Sequence, residues 1–207
     1  MNRRQQPKYI GDARYFEDVN QGMIMKERIR EPLYSKKSFA VDAAQTVNFF
    51  RDHTSNSSLY TNLVSNGAMP SNQKFELEGF CFRLKYGMAK TDILKFYNSA
   101  VLTFRTHDKT YLKTPMMKIP SGCGLTGLAA LDGASSTTEF VELTNGIPSP
   151  MVYFPIWRKG ENGKPTPILL APQQTFELEI QTFASAAFSA VFDGTAFLVG
   201  QRSRESS

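Results

Sequence analysis

The chain has 207 residues, 41% of them hydrophobic and 12% aromatic, enough to bury one sizeable core and too apolar and aromatic for a disordered chain. No apolar run nears the roughly 20 residues of a membrane helix, and the opening MNRRQQPKY lacks a secretory apolar stretch, so a cytosolic protein without a membrane segment is expected. The net charge of +5 is uneven: residues 1–40 hold nine Lys or Arg against five Asp or Glu, and the remainder hold 15 against 14.

That excess falls in residues 1–38, where neither alternation nor a helical stripe is sustained and Pro7 and Pro32 interrupt scattered apolar residues. An extended N-terminal arm is expected there. Its basic residues, Arg3, Arg4 and Arg14 among them, are interspersed with acids and are less dense than in arms that bind polyphosphate, so nucleic-acid contact is the weaker expectation. Tyr9, Tyr15 and Phe16 need burial, either against a partner or against the chain's own domain.

From Phe39 onward, short apolar or alternating runs are separated by turn residues, the spacing of a sandwich or barrel. Strands are expected over 39–41, 46–50, 75–84, 100–106, 111–119, 138–143, 151–157, 168–170, 175–183, 187–192 and 196–199, within a domain spanning 39–203, followed by a tail over 204–207. The spacing of Ile93, Leu94, Phe96 and Tyr97 predicts one helix over 90–99, capped by Thr91 or Asp92, as a lid on the core.

Two strands share a string. Gln73-Lys74-Phe75-Glu76-Leu77-Glu78 and Gln174-Thr175-Phe176-Glu177-Leu178-Glu179 both read Q-x-F-E-L-E, each led in by a proline, Pro70 and Pro172. A side-chain period of two sends Phe and Leu to the core and both Glu outward. After Gly79 the apolar set becomes Phe80, Phe82 and Leu84, which requires either a bulge at Gly79 or burial on both faces.

Catalytic chemistry finds few candidates. His53 and His107 read as loop histidines beside aspartates, Cys81 and Cys123 as reduced small apolar residues, and no hydrolase elbow or metal-binding helix occurs. Gly122-Cys123-Gly124-Leu125-Thr126-Gly127 matches G-x-G-x-x-G as a string but lacks the strand-to-helix setting that binds a pyrophosphate, and reads as a glycine-rich loop. No catalytic residue, metal site or cofactor is expected. In 151–157, Trp157 with Arg158 would stack on a sugar or anchor a protein interface if one face is exposed; the alternative is that both faces are covered.

The arm, the many short strands and the proline-led strands after Pro70 and Pro172 resemble viral jelly-roll proteins, especially bacteriophage virion proteins. The resemblance covers roughly residues 39–200 and assigns no defined site. It implies an all-β, jelly-roll-like β-sandwich with one short helix and an extended N-terminal arm, and a non-enzymatic capsid shell or capsid cement/decoration protein made in host cytoplasm and carried in the virion. Its partners would be other capsid subunits in a homo-oligomer, with Arg3, Arg4, Tyr9, Arg14, Tyr15, Phe16, Trp157 and Arg158 as the expected contacts. The alternative is a lectin-like carbohydrate-binding sandwich using Trp157 and Tyr153.

Overall fold

The computed structural model describes residues 9–10, 13–18, 22–51, 58–85, 87–107, 109–121, 128–131, 140–143, 152–160, 163–184 and 187–206. The strands in chain order are β1 (Tyr9–Ile10), β2 (Ala13–Asp18), β3 (Gly22–Ile29), β4 (Leu33–Phe39), β5 (Ala44–Phe49) and β6 (Gln73–Leu84). Helix α1 (Lys90–Ser99) leads directly into β7 (Ala100–Thr106) and β8 (Lys109–Pro115), followed by a 3₁₀ turn, Met116–Lys118. Then come β9 (Leu128–Leu131), β10 (Phe140–Leu143), β11 (Phe154–Pro155), β12 (Arg158–Lys159), β13 (Pro165–Thr166), β14 (Ile168–Leu170), β15 (Phe176–Phe183) and β16 (Phe192–Ser206).

Two antiparallel sheets make the expected sandwich. In the larger, β16 lies between β6 on one side and β3 and β4 on the other, while the far edge of β6 carries β14 and β11. The smaller sheet has the order β5-β15-β7-β8. Pairs β9–β10 and β12–β13 form separate two-stranded ribbons.

Alternation explains the core. Phe176, Leu178, Ile180 and Thr182 of β15 are buried while Glu177, Glu179 and Gln181 are half-buried on the other face, and β7 alternates likewise through Ala100, Leu102, Phe104 and Thr106. From the larger sheet Phe80 meets Phe104 at a ring distance of 5.1 Å and Phe82 meets Phe49 edge-on at 5.8 Å. Phe96 of α1 seals one end, stacked on Phe82 and edge-on to Phe39.

The Gly79 phase change has both causes that the sequence offers. Val199 pairs with Gly79 and Gly200 with Leu77, so Glu78 has no residue opposite it and the strand bulges, which moves the inward set from Phe75 and Leu77 to Phe80, Phe82 and Leu84. Residues 79–82 are also buried on both faces, because residues 152–156 cross the outer side: Tyr153 covers Gly79, and Cys81 Sγ lies 3.3 Å from the Val152 carbonyl.

Several expectations need correction. The stretch expected as an arm over 1–38 contains strands β1 to β3 and most of β4, and Leu33–Phe39 is a core strand whose alternation is hidden by buried Ser35, which accepts a hydrogen bond from Phe50 N at 2.9 Å. Residues 204–206, expected as tail, continue β16, so the strand expected over 196–199 is 15 residues long. Residues 187–191 are not a strand: Phe188 N donates to the Val41 carbonyl, and Ser189 is captured by α1.

The helix has the expected bounds, but its first turn differs. Ala89 is the N-cap and makes no side-chain cap bond; Asp92 is instead buried, accepting from Ser189 N at 3.1 and 3.0 Å and from the Ser189 hydroxyl. Ile93 and Phe96 face the core, Tyr97 packs at its margin, and Leu94 is 40% exposed. Over 111–119 the strand stops at Pro115, which has no N–H to give, and over 151–157 the strand among the described residues is Phe154–Pro155.

Candidate functional site

Strands β3 and β4 lie end to end along one edge of β16, with residues 202–206 opposite 25–29 and residues 192–198 opposite 33–39. Arg30, Glu31 and Pro32 separate them. Pro32 cannot donate to a ladder, and its carbonyl accepts from Asn62 Nδ2 at 2.9 Å. Strand β2 pairs with β3, and β1 pairs with β2, so a three-stranded ribbon extends the larger sheet beyond the sandwich with β1 at its rim.

Three ion pairs fasten the inner strand of this ribbon and the connector that follows it. Arg28 meets Glu76 at 3.2 Å, Arg30 meets Glu78 at 3.1 Å, and Arg202 pairs with Glu31. The arginines of the first two are nearly half exposed, so each pair contributes on the order of 0.2–1 kcal/mol. Backbone pairing does most of the holding.

The second Q-x-F-E-L-E strand is furnished in the same way. Arg105 sits between Glu177 and Glu179, 2.7 Å from each, and Arg51 reaches Glu177 at 3.4 Å. All four motif glutamates thus meet arginines: Glu177 and Glu179 that of adjacent β7, Glu76 one on β3 across β16, and Glu78 one in the connector after β3. The sequence places the glutamates; the arginines depend on register and carry no local signal.

Sheet edges differ in their cover. The outer edge of β4 is closed by residues 60–62: Ser35 bridges Thr61, Lys36 N donates to the Tyr60 carbonyl at 2.7 Å, and Tyr34 N donates to Asn62 Oδ1 at 2.9 Å. Edge strand β8 carries Lys109 and Lys113, charges that discourage strand addition. Among the described residues, β1 has no strand on its other side.

The expected contact residues divide between separate elements. Tyr9 lies opposite Arg14, Tyr15 opposite Met25 and Phe16 opposite Ile24, which places all four on the ribbon's two outermost strands. Arg3 and Arg4 lie outside the described residues. Trp157 is 58% exposed and Arg158 is exposed on β12, opposite Thr166. Within this segment Pro155 and Trp157 are exposed, whereas Tyr153 lies over Gly79 and Ile156 is buried, so the open surface is confined to its end.

His107 has its ring Nδ1 3.2 Å from the Thr175 hydroxyl, in a turn with φ of 47°. Cys81 is buried. His53, Cys123 and the Gly122–Gly127 string lie outside the described residues. Among the described residues no group of three His, Cys, Asp or Glu is placed to hold a metal ion, and no helix is long and apolar enough to cross a membrane.

Two polar features remain. Burial pushes the Asp193 carboxyl up, but the Ser38 hydroxyl at 2.6 Å, the Lys36 ammonium at 2.9 Å and the charge of Lys85 outweigh it and hold the group below the usual aspartate value. A cleft of about 270 Å³ opens where β3, β16, β6 and β14 meet the turns at Ser71 and Pro172, with Arg28, Lys74 and Arg204 in its walls. No known protein family, curated protein or solved structure matches the chain.

Proposed function

We propose that this chain is a non-enzymatic structural subunit of a virion, a shell or cement protein that works by binding other capsid subunits. The carrying observation is the ribbon β1–β3, whose rim strand has no strand on its outer side among the described residues and so suits strand addition from a neighbouring subunit. Tyr9, Arg14, Tyr15 and Phe16 on that ribbon are residue types that anchor interfaces.

Strand order supports the jelly-roll part of the reading. From β4 onward the pairs are nested: β4 with β16, β5 with β15, β6 with β14, and β7 with β8. Facing sheets ordered β4-β16-β6-β14 and β5-β15-β7-β8 are what a chain folded double and then rolled would give. Symmetric assembly then covers edges that a lone sandwich leaves open.

The test compares the full chain with one starting at residue 22, which keeps β3. Electron microscopy and sedimentation of each, alone and with a preformed capsid lattice, should show assembly or lattice binding by the full chain and its loss on truncation. A full chain that stays monomeric and ignores every lattice tried overturns the proposal. A glycan-binding reading draws on the open indole of Trp157 beside Arg158; glycan-array binding abolished by Trp157→Ala would favour it instead.

A further inference from the structure

The cleft beside β6 has no part in the ribbon's rim or in the Trp157 surface, and its walls are chemically lopsided. Arg28, Lys74 and Arg204 supply three cations against one carboxylate, Glu76, which is already engaged by Arg28 at 3.2 Å. Arg28 and Lys74 both lie opposite Ser203, on its two sides, so two like charges share one rung of the sheet with a hydroxyl between them. Two strand spacings separate their backbones, on the order of 10 Å, a span that one anion held by both long side chains can bridge.

We propose that this cleft binds a phosphate group. The neutral polar groups of the wall, the hydroxyls of Ser71 and Ser203 and the amide of Asn72, can all donate hydrogen bonds, and with the Arg28 guanidinium and the Lys74 ammonium of the shared rung they come from three strands and a turn. A tetrahedral phosphate takes donors from several directions at once, whereas a planar carboxylate uses one fork. Lys74 and Arg204 each hold a contact of their own within the protein, so the phosphate joins or displaces existing partners.

The cleft also has an apolar side. Leu169 is 42% exposed and lines it together with Pro172, and a volume of about 270 Å³ exceeds what a bare phosphate fills. The ligand is therefore a phosphate carried on a small organic body, either a free phosphomonoester or one nucleotide of a single strand. Their shared chemistry is what the site recognises.

Calorimetric titration of the full chain at low salt with inorganic phosphate, ribose 5-phosphate and a ten-residue deoxythymidine oligonucleotide tests this. Saturable binding is expected, weakened at least tenfold in Lys74→Gln and less in Arg204→Gln, whose residue lies one position out of phase with the rung, with Arg158→Gln binding as the native chain does. Ser203→Ala, which removes no charge, should weaken binding severalfold and serves if a glutamine variant fails to fold. Tighter binding of the oligonucleotide with the same variant dependence identifies a phosphodiester; tighter binding of ribose 5-phosphate identifies a monoester. Absence of saturable binding by all three probes, or equal weakening by Arg158→Gln, overturns the site.

Discussion

Tyr153 lies across Gly79, its ring and the Phe154 carbonyl occupying the space that a β-carbon at residue 79 would need. The glycine thereby lets residues 152–156 close over β6 at its bulge, where Ile156 N also donates to the Glu78 carbonyl at 2.8 Å. Gly79→Ala must push that segment off the sheet. The expected loss is about 1–3 kcal/mol, measured by denaturant unfolding, and Tyr153→Ala should recover part of it in the double variant.

Asp92 joins the helix to the turn before β16. Removing its carboxylate leaves the Ser189 N–H without an acceptor and deprives Lys95, 3.5 Å away, of its counter-charge. Asp92→Ala should cost about 1.5–3 kcal/mol, seen as a lowered melting temperature, while Ser189→Ala, which keeps the backbone bond, should cost less.

Asp193 gives a pH dependence with a defined sign. Its carboxyl is held below the ordinary value of about 4 in the folded chain, so between the two values the unfolded state binds more protons. The associated stability is present above about pH 4 and is lost as the pH falls through the folded value. Thermal melts from pH 6 to pH 2.5 should show a shallower acid decline for Asp193→Asn than for the native chain; identical slopes would discount the Ser38 and Lys36 contacts.

The ribbon should be separable from the body in hydrogen exchange. Glu76→Gln removes the ion pair to Arg28 of β3 and Glu78→Gln the one to Arg30 just after it, and together they should speed amide exchange over residues 22–29 by roughly two- to tenfold. Exchange over residues 33–39, held between β16 and the cover at Thr61, should not change. Equal acceleration in both stretches would mean that the ribbon and the sandwich open as one unit.

What the sequence reveals tracks how local the determinant is. Residues 100–106 and 168–170 and the helix over 90–99 have the read boundaries, because their alternation, apolar run or helical period is complete within the segment. Strand β16 is not readable in full: Gly194, Gly200 and the polar run from Gln201 interrupt any local pattern, and pairing with β6 and β3 holds them extended. In β4, Ser35 stands where an apolar residue would signal the strand, and only its bond to Phe50 explains its burial. For the surface, Trp157 was legible from composition, whereas the Arg28-Ser203-Lys74 rung exists only once three distant strands are in register.

The nesting of β4 with β16 also orders events during synthesis. A ribosome delivers β4 about 150 residues before its partner, and the ribbon's backbone partner, the far half of β16, follows later still. Contacts so distant in sequence form late and slowly. The ribbon is therefore mounted in place only after β16 has joined β6, so a half-made chain holds β3 without the ladder that extends it.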